Sequence, residues 1–228
     1  DDRLSRGLGD VYKRQVIVLA IEDEWKFSYD ELLNLWFLGS LLVGIGSLPA
    51  GWISDRWSRS GMIAVMFLGL GISSVLCGLS GNKLSLFISL SLLGLFCSIY
   101  HPAGISWIVN TSKETGRALG FNNIFGGVGI GLGAFFAGIL IDQINWQAAF
   151  IFPGIISILT GLCLSYHLKS GKISLTNIKS EQFRDNPEKN QMLKIAIIML
   201  VSITCLSFVY QILQTSLPKA IDIRLSNS

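Results

Sequence analysis

The stretch G-W-I-S-D-R-W-S-R-S, residues Gly51 to Ser60, decides how this chain is read, because it places Asp55, Arg56 and Arg59 between two long apolar runs. The run before it, Leu32 to Ile53, holds no Asp, Glu, Lys or Arg, and neither does the run after it, Met62 to Leu79. At 1.5 Å per residue, each is long enough, or nearly so, to cross a hydrocarbon core of about 30 Å. Charges between two such runs mark a turn at a membrane surface.

Half of the residues are apolar, only 14% are charged and 24 of 228 are glycine. A soluble domain carries roughly 25% charge. Charge-free runs give spans at 32–53, 62–80, 84–109, 121–141, 146–167 and 195–218. The fold class is an all-α polytopic membrane protein. Six spans leave little room for a soluble domain, and a net charge of only +3 offers no basic surface for nucleic acid. The four cysteines, Cys77, Cys97, Cys163 and Cys205, are spread over four spans without C-x-x-C spacing, which reads as helix packing and not as metal or redox chemistry. No phosphate-binding glycine loop appears, and no cofactor is implied.

The termini obey different rules. Residues 1–15 are polar, and Leu4 to Gln15 resemble a translated adapter read, so they are set aside as a non-native or disordered leader. Val16 to Ile21 is too short to cross and reads as the outer end of a truncated first span, with Glu22 to Glu31 as an external loop. Residues 16–167 form an amino-terminal bundle, 168–192 a polar linker and 193–228 the first span of a further bundle.

Loop charge sets orientation. With Asp55 inside, the inner segments hold Arg56, Arg59, Lys113, Arg117, Lys169, Lys172, Lys179, Arg184, Lys189 and Lys194, against Lys26, Lys83, Lys219 and Arg224 outside. The excess of inner cations obeys the positive-inside rule. Trp36, Trp107 and Trp146 lie near span ends and read as interfacial anchors.

At 100° per residue, Ser40, Gly44, Ser47, Gly51 and Asp55 share one face, a stripe of small residues that lets a helix approach closely. In the 121–141 span, Gly120, Gly127, Gly131 and Gly138 share one face. Asn122, Gly126, Gly129 and Gly133 share roughly the opposite one, so close neighbours are expected on both sides. Asn122 and Asn123 read as helix-to-helix hydrogen-bonding groups. Ser91, Gly94, Ser98 and His101 form a polar stripe whose spacing recurs in Thr204, Ser207, Gln211 and Gln214. Polar stripes within lipid must face protein or water. His101 precedes Pro102 in the run Y-H-P-A-G, about 7 Å to the inner side of its span's centre. Proline removes a donor and frees the carbonyl of Ser98, so a bend is expected there. His101 then has two readings: a titrating or solute-contacting group, or a hydrogen-bond partner for that freed carbonyl.

The charged turn resembles the loop signature of the major facilitator superfamily, G-x-x-x-D-[RK]-x-G-R-[RK], with Ser58 in place of its glycine and Ser60 in place of a basic residue. At a left-handed position that serine would cost about 1 kcal/mol or more. The glycine stripes are similar to the family's as well, although Ala134 stands where its antiporter proline would be, and Leu90 where its fourth-span arginine would be. The Y-H-P-A-G run resembles a subset that includes fosmidomycin-resistance-type efflux proteins. The resemblance implies a major-facilitator-type helical bundle, here incomplete, with about six full spans and a remnant of a first. It implies a multi-pass protein of the bacterial inner membrane, which moves a small solute by alternating access. It further implies that an ion or substrate gradient drives the flux, protons being one candidate ion, and that a missing carboxy-terminal bundle of the same polypeptide is the partner. Gly51, Asp55, Arg56 and Arg59 would form the conformational gate. Ser91, Ser98, His101, Thr204, Ser207, Gln211 and Gln214 would line the pathway. A membrane enzyme is the competing class, with His101 and Ser98 or Tyr166 and His167 as its chemistry, but no paired acids, nucleophile elbow or metal-ligand spacing supports it. A membrane sensor without transport is the third.

Overall fold

In a computed structural model, residues 29–171 are described continuously, together with Ile21, Trp25 and single helical residues at 194, 197, 198, 201, 202, 204 and 205. The chain divides into two compact units, Arg14–Ile178 and a second that joins Asp1–Lys13 to Lys179–Ser228. The long helices belong to the first unit.

Its elements are α1 (Tyr29–Arg56), α2 (Arg59–Gly78), α3 (Lys83–Cys97), a π-helical segment (Tyr100–Ile105), α4 (Ser106–Thr111), α5 (Thr115–Gln143) and α6 (Trp146–Lys169). Among the described residues there is no strand. Five helical stretches are long and apolar enough to cross a membrane: Asn34–Arg56, Arg59–Gly78, Lys83–Thr111, Thr115–Gln143 and Trp146–Lys169. These match the first five expected spans, each helix running into the flanking charge where an apolar run alone would stop. The sixth, 195–218, lies largely outside the described residues. Helices suit the medium, since every backbone bond closes within the segment.

Polar caps start the helices. Ser58 accepts from the Gly61 amide ahead of α2, Asn82 forms a capping box with Ser85 ahead of α3, and Asn145 accepts from the Ala148 amide ahead of α6. Lys83 and Glu31 pair at 3.2 Å and tie the start of α3 to the start of α1.

Two glycine seams hold the bundle. The antiparallel α2 and α6 meet along Gly71, Gly78, Gly154 and Gly161, where a Cβ at Gly71 would lie 2.6 Å from the Gly154 carbonyl oxygen and one at Gly78 would lie 2.8 Å from that of Gln147. Two bonds cross the seam, from the Ser74 hydroxyl to the Phe150 carbonyl at 2.7 Å and from the Ser157 hydroxyl to the Phe67 carbonyl at 2.8 Å. The parallel α1 and α3 meet where Gly39 faces the backbone of Leu90 and Gly94, and where Gly46 faces Ser98. Close backbone approach at small residues substitutes for the hydrophobic drive that lipid cannot supply.

The faces packed within this unit differ in part from those expected. On α1 the buried small residues are Gly39, Gly46, Ala50 and Ser54, whereas Ser40 and Gly44 are exposed, with no atom within 4 Å of a Cβ at Gly44. On α5 only Gly138 and Ile141 are buried, and Gly120, Gly126, Gly127, Gly129, Gly131 and Gly133 meet open space. Trp146 is 2% exposed and packs edge-on against Trp25 and Phe150, so it belongs to the core with Leu35, Cys77, Leu86, Ile141 and Ala149. Trp25, expected in a loop, is helical. A second core cluster, Ala50, Met62, Ile63, Met66, Ile99 and Ala103, fills the end of the bundle nearer the charged turn. Leu48 and Phe125 are more than two thirds exposed, leaving apolar surface for lipid or a further bundle.

Candidate functional site

The charged turn is short. Helix α1 runs through Asp55 to Arg56, Trp57 donates its amide to the Ile53 carbonyl, and Ser58 caps α2. Ser58 has φ −167° and ψ 129°, an extended backbone open to any residue. The serine that replaces the family's glycine therefore carries no left-handed penalty, and its buried hydroxyl both caps the helix and meets the Ser60 hydroxyl at 3.2 Å.

Arg59 meets the Asp55 carboxylate at 3.1 Å, one helical turn away. The arginine is the buried partner, with 14% of its side chain exposed against 67% for Asp55. Exposed pairs at this spacing contribute about 0.3–0.5 kcal/mol, so this contact orients more than it stabilises. Arg56 stands apart from that pair, its guanidinium 3.9 Å from the centre of the Trp52 ring. Trp52 and Trp57 are exposed, and it is they, with Arg56, that present an aromatic and cationic edge at this end of the bundle. The i, i+4 spacing of Trp52 and Arg56 was the available sequence signal for that contact. Ser54 Oγ and Arg59 Nε are buried without a hydrogen-bond partner among the described residues, at a cost of about 1–3 kcal/mol for each such group.

Gly51 faces the π-helical segment. A Cβ there would lie 3.2 Å from Pro102 Cβ. That segment, Tyr100–Ile105, interrupts the α-helix that begins at Lys83 and contains Pro102, which has no amide to donate. It is held on three sides: Pro102 by Gly51, Gly104 by Ile63, and Tyr100 by Asn122, whose Oδ1 accepts the phenolic hydrogen at 2.6 Å.

The polar stripe divides at this point. Ser91 donates to the Phe87 carbonyl at 2.7 Å and Ser98 to the Leu95 carbonyl at 2.6 Å; both are buried, as is Gly94 against Gly39. His101 is exposed, its imidazole in edge-to-face contact with the Tyr100 ring at 5.3 Å. It makes no hydrogen bond to the Ser98 carbonyl among the described residues, so the carbonyl-satisfying reading of His101 lacks its bond. The wider π turn rotates the residues after Ile99 away from the α-helical register that put all four on one face. Thr204 is helical and exposed, while Ser207, Gln211 and Gln214 lie outside the described residues. Tyr166 and His167 touch ring to ring at 5.6 Å. Among the described residues no three His, Cys, Asp or Glu side chains are grouped to hold a metal ion.

Comparison with known proteins bears on this arrangement. The Major Facilitator Superfamily matches residues 15–227. The puromycin resistance protein of Streptomyces alboniger is 31% identical over 118 residues, which is 50% of this chain and 22% of that protein. The gallate transporter of Pseudomonas putida is 24% identical over 149 residues, 64% of this chain and 33% of that one. An uncharacterized MFS-type transporter of Bacillus subtilis is 26% identical over 194 residues, 82% of this chain and 46% of that one. The chain thus spans less than half the length of each of these relatives. With a profile match over nearly its whole length, a bundle of apolar helices and relatives of this kind, the chain belongs to the Major Facilitator Superfamily, a family of membrane transporters and not of enzymes.

Proposed function

We propose that this chain is part of a secondary transporter that moves a small solute by alternating access, two helical bundles rocking about a central site. The observation that carries the reading is the interrupted helix at Tyr100–Ile105, which presents His101, exposed and without a hydrogen bond among the described residues, deep within a span. An ionisable group at that depth is favoured only where protein, water or a solute meets it. His101, Thr204, Ser207, Gln211 and Gln214 line the pathway in this reading, with Ser91 and Ser98 behind it in the α1–α3 seam. The pathway residues carry no fixed charge, which favours a neutral, zwitterionic or amphipathic solute. With Leu90 at the family's arginine position, His101 is the group available for proton coupling in this half.

Gly51, Asp55, Arg56 and Arg59 serve as the gate on the inner face. Asp55, exposed and oriented by Arg59, meets the amino end of a helix in a carboxy-terminal bundle, where a carboxylate complements the helix dipole. Arg56 on Trp52 fixes the turn to the inner leaflet. The protein resides in the inner membrane of a bacterial cell.

The test needs no known solute. In the full-length carrier, a single cysteine replacing His101 should react with a small membrane-impermeant maleimide from either face of sealed vesicles, because alternating access opens the central site to each side in turn. Reaction from one face alone, in both vesicle orientations, contradicts the proposal.

A further inference from the structure

His101 adjoins Tyr100 on the π-helical segment, and Tyr100 is tethered across to α5. Its hydroxyl donates to Asn122 Oδ1 at 2.6 Å, and its ring stands edge-to-face with the imidazole, centroids 5.3 Å apart and planes at 69°. The remaining contacts of the segment leave the imidazole out: Pro102 is packed by Gly51, Gly104 is packed by Ile63, and Ala103 is wholly buried. Those contacts fix the backbone of the segment. They do not fix the rotamer of an exposed side chain, against which the Tyr100 ring stands as one wall.

We propose that Tyr100 and Asn122 are positioning residues for His101: the Tyr100 hydroxyl, anchored on α5, holds the ring that sets the imidazole's orientation. The inference rests on His101 belonging to the pathway. It also gives α5 a way to act there. Helix α5 is the least buried of the long helices, so its movement relative to the π segment is registered first at the Tyr100 to Asn122 bond and then at His101.

In the full-length carrier, the imidazole resonance lost in His101→Gln is that of His101. In detergent micelles, the Cε1 proton of His101 should carry the ring-current shift of Tyr100. Tyr100→Ala defines the position with the ring removed. Tyr100→Phe keeps the ring and loses the tether, and should move the resonance most of the way to the Tyr100→Ala position. Asn122→Ala should give the same shift as Tyr100→Phe, the double variant should move it no further, and Asn122→Asp, which keeps an acceptor, should restore the wild-type position. The proposal is overturned if the resonance in Tyr100→Phe or Asn122→Ala coincides with wild type, or if the two shifts add in the double variant. Asn122→Ala stands in if Tyr100→Phe does not fold. Should His101→Gln leave transport by the full-length carrier unchanged, the pathway reading fails while the tether, read by resonance, still stands or falls separately.

Discussion

Substituting Gly71 with alanine tests the seam that holds α2 to α6, and its cost can be worked from distances. A Cβ at Gly71 would lie 2.6 Å from the Gly154 carbonyl oxygen and 2.7 Å from the Ile158 amide nitrogen, both backbone atoms that no rotamer change can remove. Ordinary contact begins at 3.4 Å, so the helices must separate by roughly 0.8 Å, the difference between 3.4 and 2.6. That motion takes the Ser74 to Phe150 and Ser157 to Phe67 bonds from 2.7 and 2.8 Å to the limit of hydrogen bonding. Overpacking of this kind costs about 1–3 kcal/mol, and bonds between helices in lipid contribute about 0.6 kcal/mol each. The better helix propensity of alanine returns about 1 kcal/mol. The net expectation is a loss of about 1–3 kcal/mol, a factor of about 5 to 100 or more in the unfolding constant. Gly44→Ala is the control, since nothing lies within 4 Å of its Cβ and propensity alone should act, leaving stability unchanged or raised by up to about 1 kcal/mol. Reversible unfolding in mixed micelles of increasing dodecyl sulfate content, monitored by circular dichroism, measures both. Gly71→Ala unfolding at the wild-type midpoint, or Gly44→Ala losing as much as Gly71→Ala, would refute the reasoning.

In the full-length carrier Asp55→Asn should slow transport by about tenfold or more, in the range of a coupling of 1–3 kcal/mol between states, with expression near wild type because the Asp55 side chain is exposed and asparagine is nearly isosteric with it; wild-type kinetics would reduce Asp55 to a loop charge. His101→Gln should slow transport by the full-length carrier with expression near wild type, and unchanged kinetics would remove His101 from the pathway. A cysteine at Asp30 should react with impermeant reagents from outside and one at Asn177 only with reagents that cross the membrane; labelling of both from one side would sink the assigned orientation.

The spans were legible because charge is costly in lipid, so its absence from Leu32 to Ile53 or from Met62 to Leu79 is informative by itself. Partner faces were not. Helical angles group Ser40, Gly44, Ser47 and Gly51, but the face that packs, Gly39, Gly46, Ala50 and Ser54, lies about 100° around α1. Both faces are built of small residues, and only the neighbour distinguishes them. The α2 to α6 seam shows the same limit from the other side: Gly71 and Gly78, like Gly154 and Gly161, are seven residues apart, a spacing that says a face exists without saying what covers it. Ser58 departs from expectation for a different reason, because a family position that usually holds glycine need not be left-handed, and here the extended backbone makes serine a useful cap.

The candidate site turns on Pro102. Before it, Ser91 and Ser98 return their hydroxyls to carbonyls of their own helix, which lets a polar side chain be buried in a seam without a partner across it. At the π turn the register changes, and His101 stands outside that seam, exposed, with its imidazole against the Tyr100 ring. A run of evenly spaced polar residues therefore separates into a packing group and an exposed group at the residue that cannot donate a backbone bond. Gly51 adds the remaining connection: the glycine that opens the charged turn motif is also the residue against which Pro102 rests. The charged turn and the interrupted helix are thereby neighbours, with no element between Gly51 and Pro102.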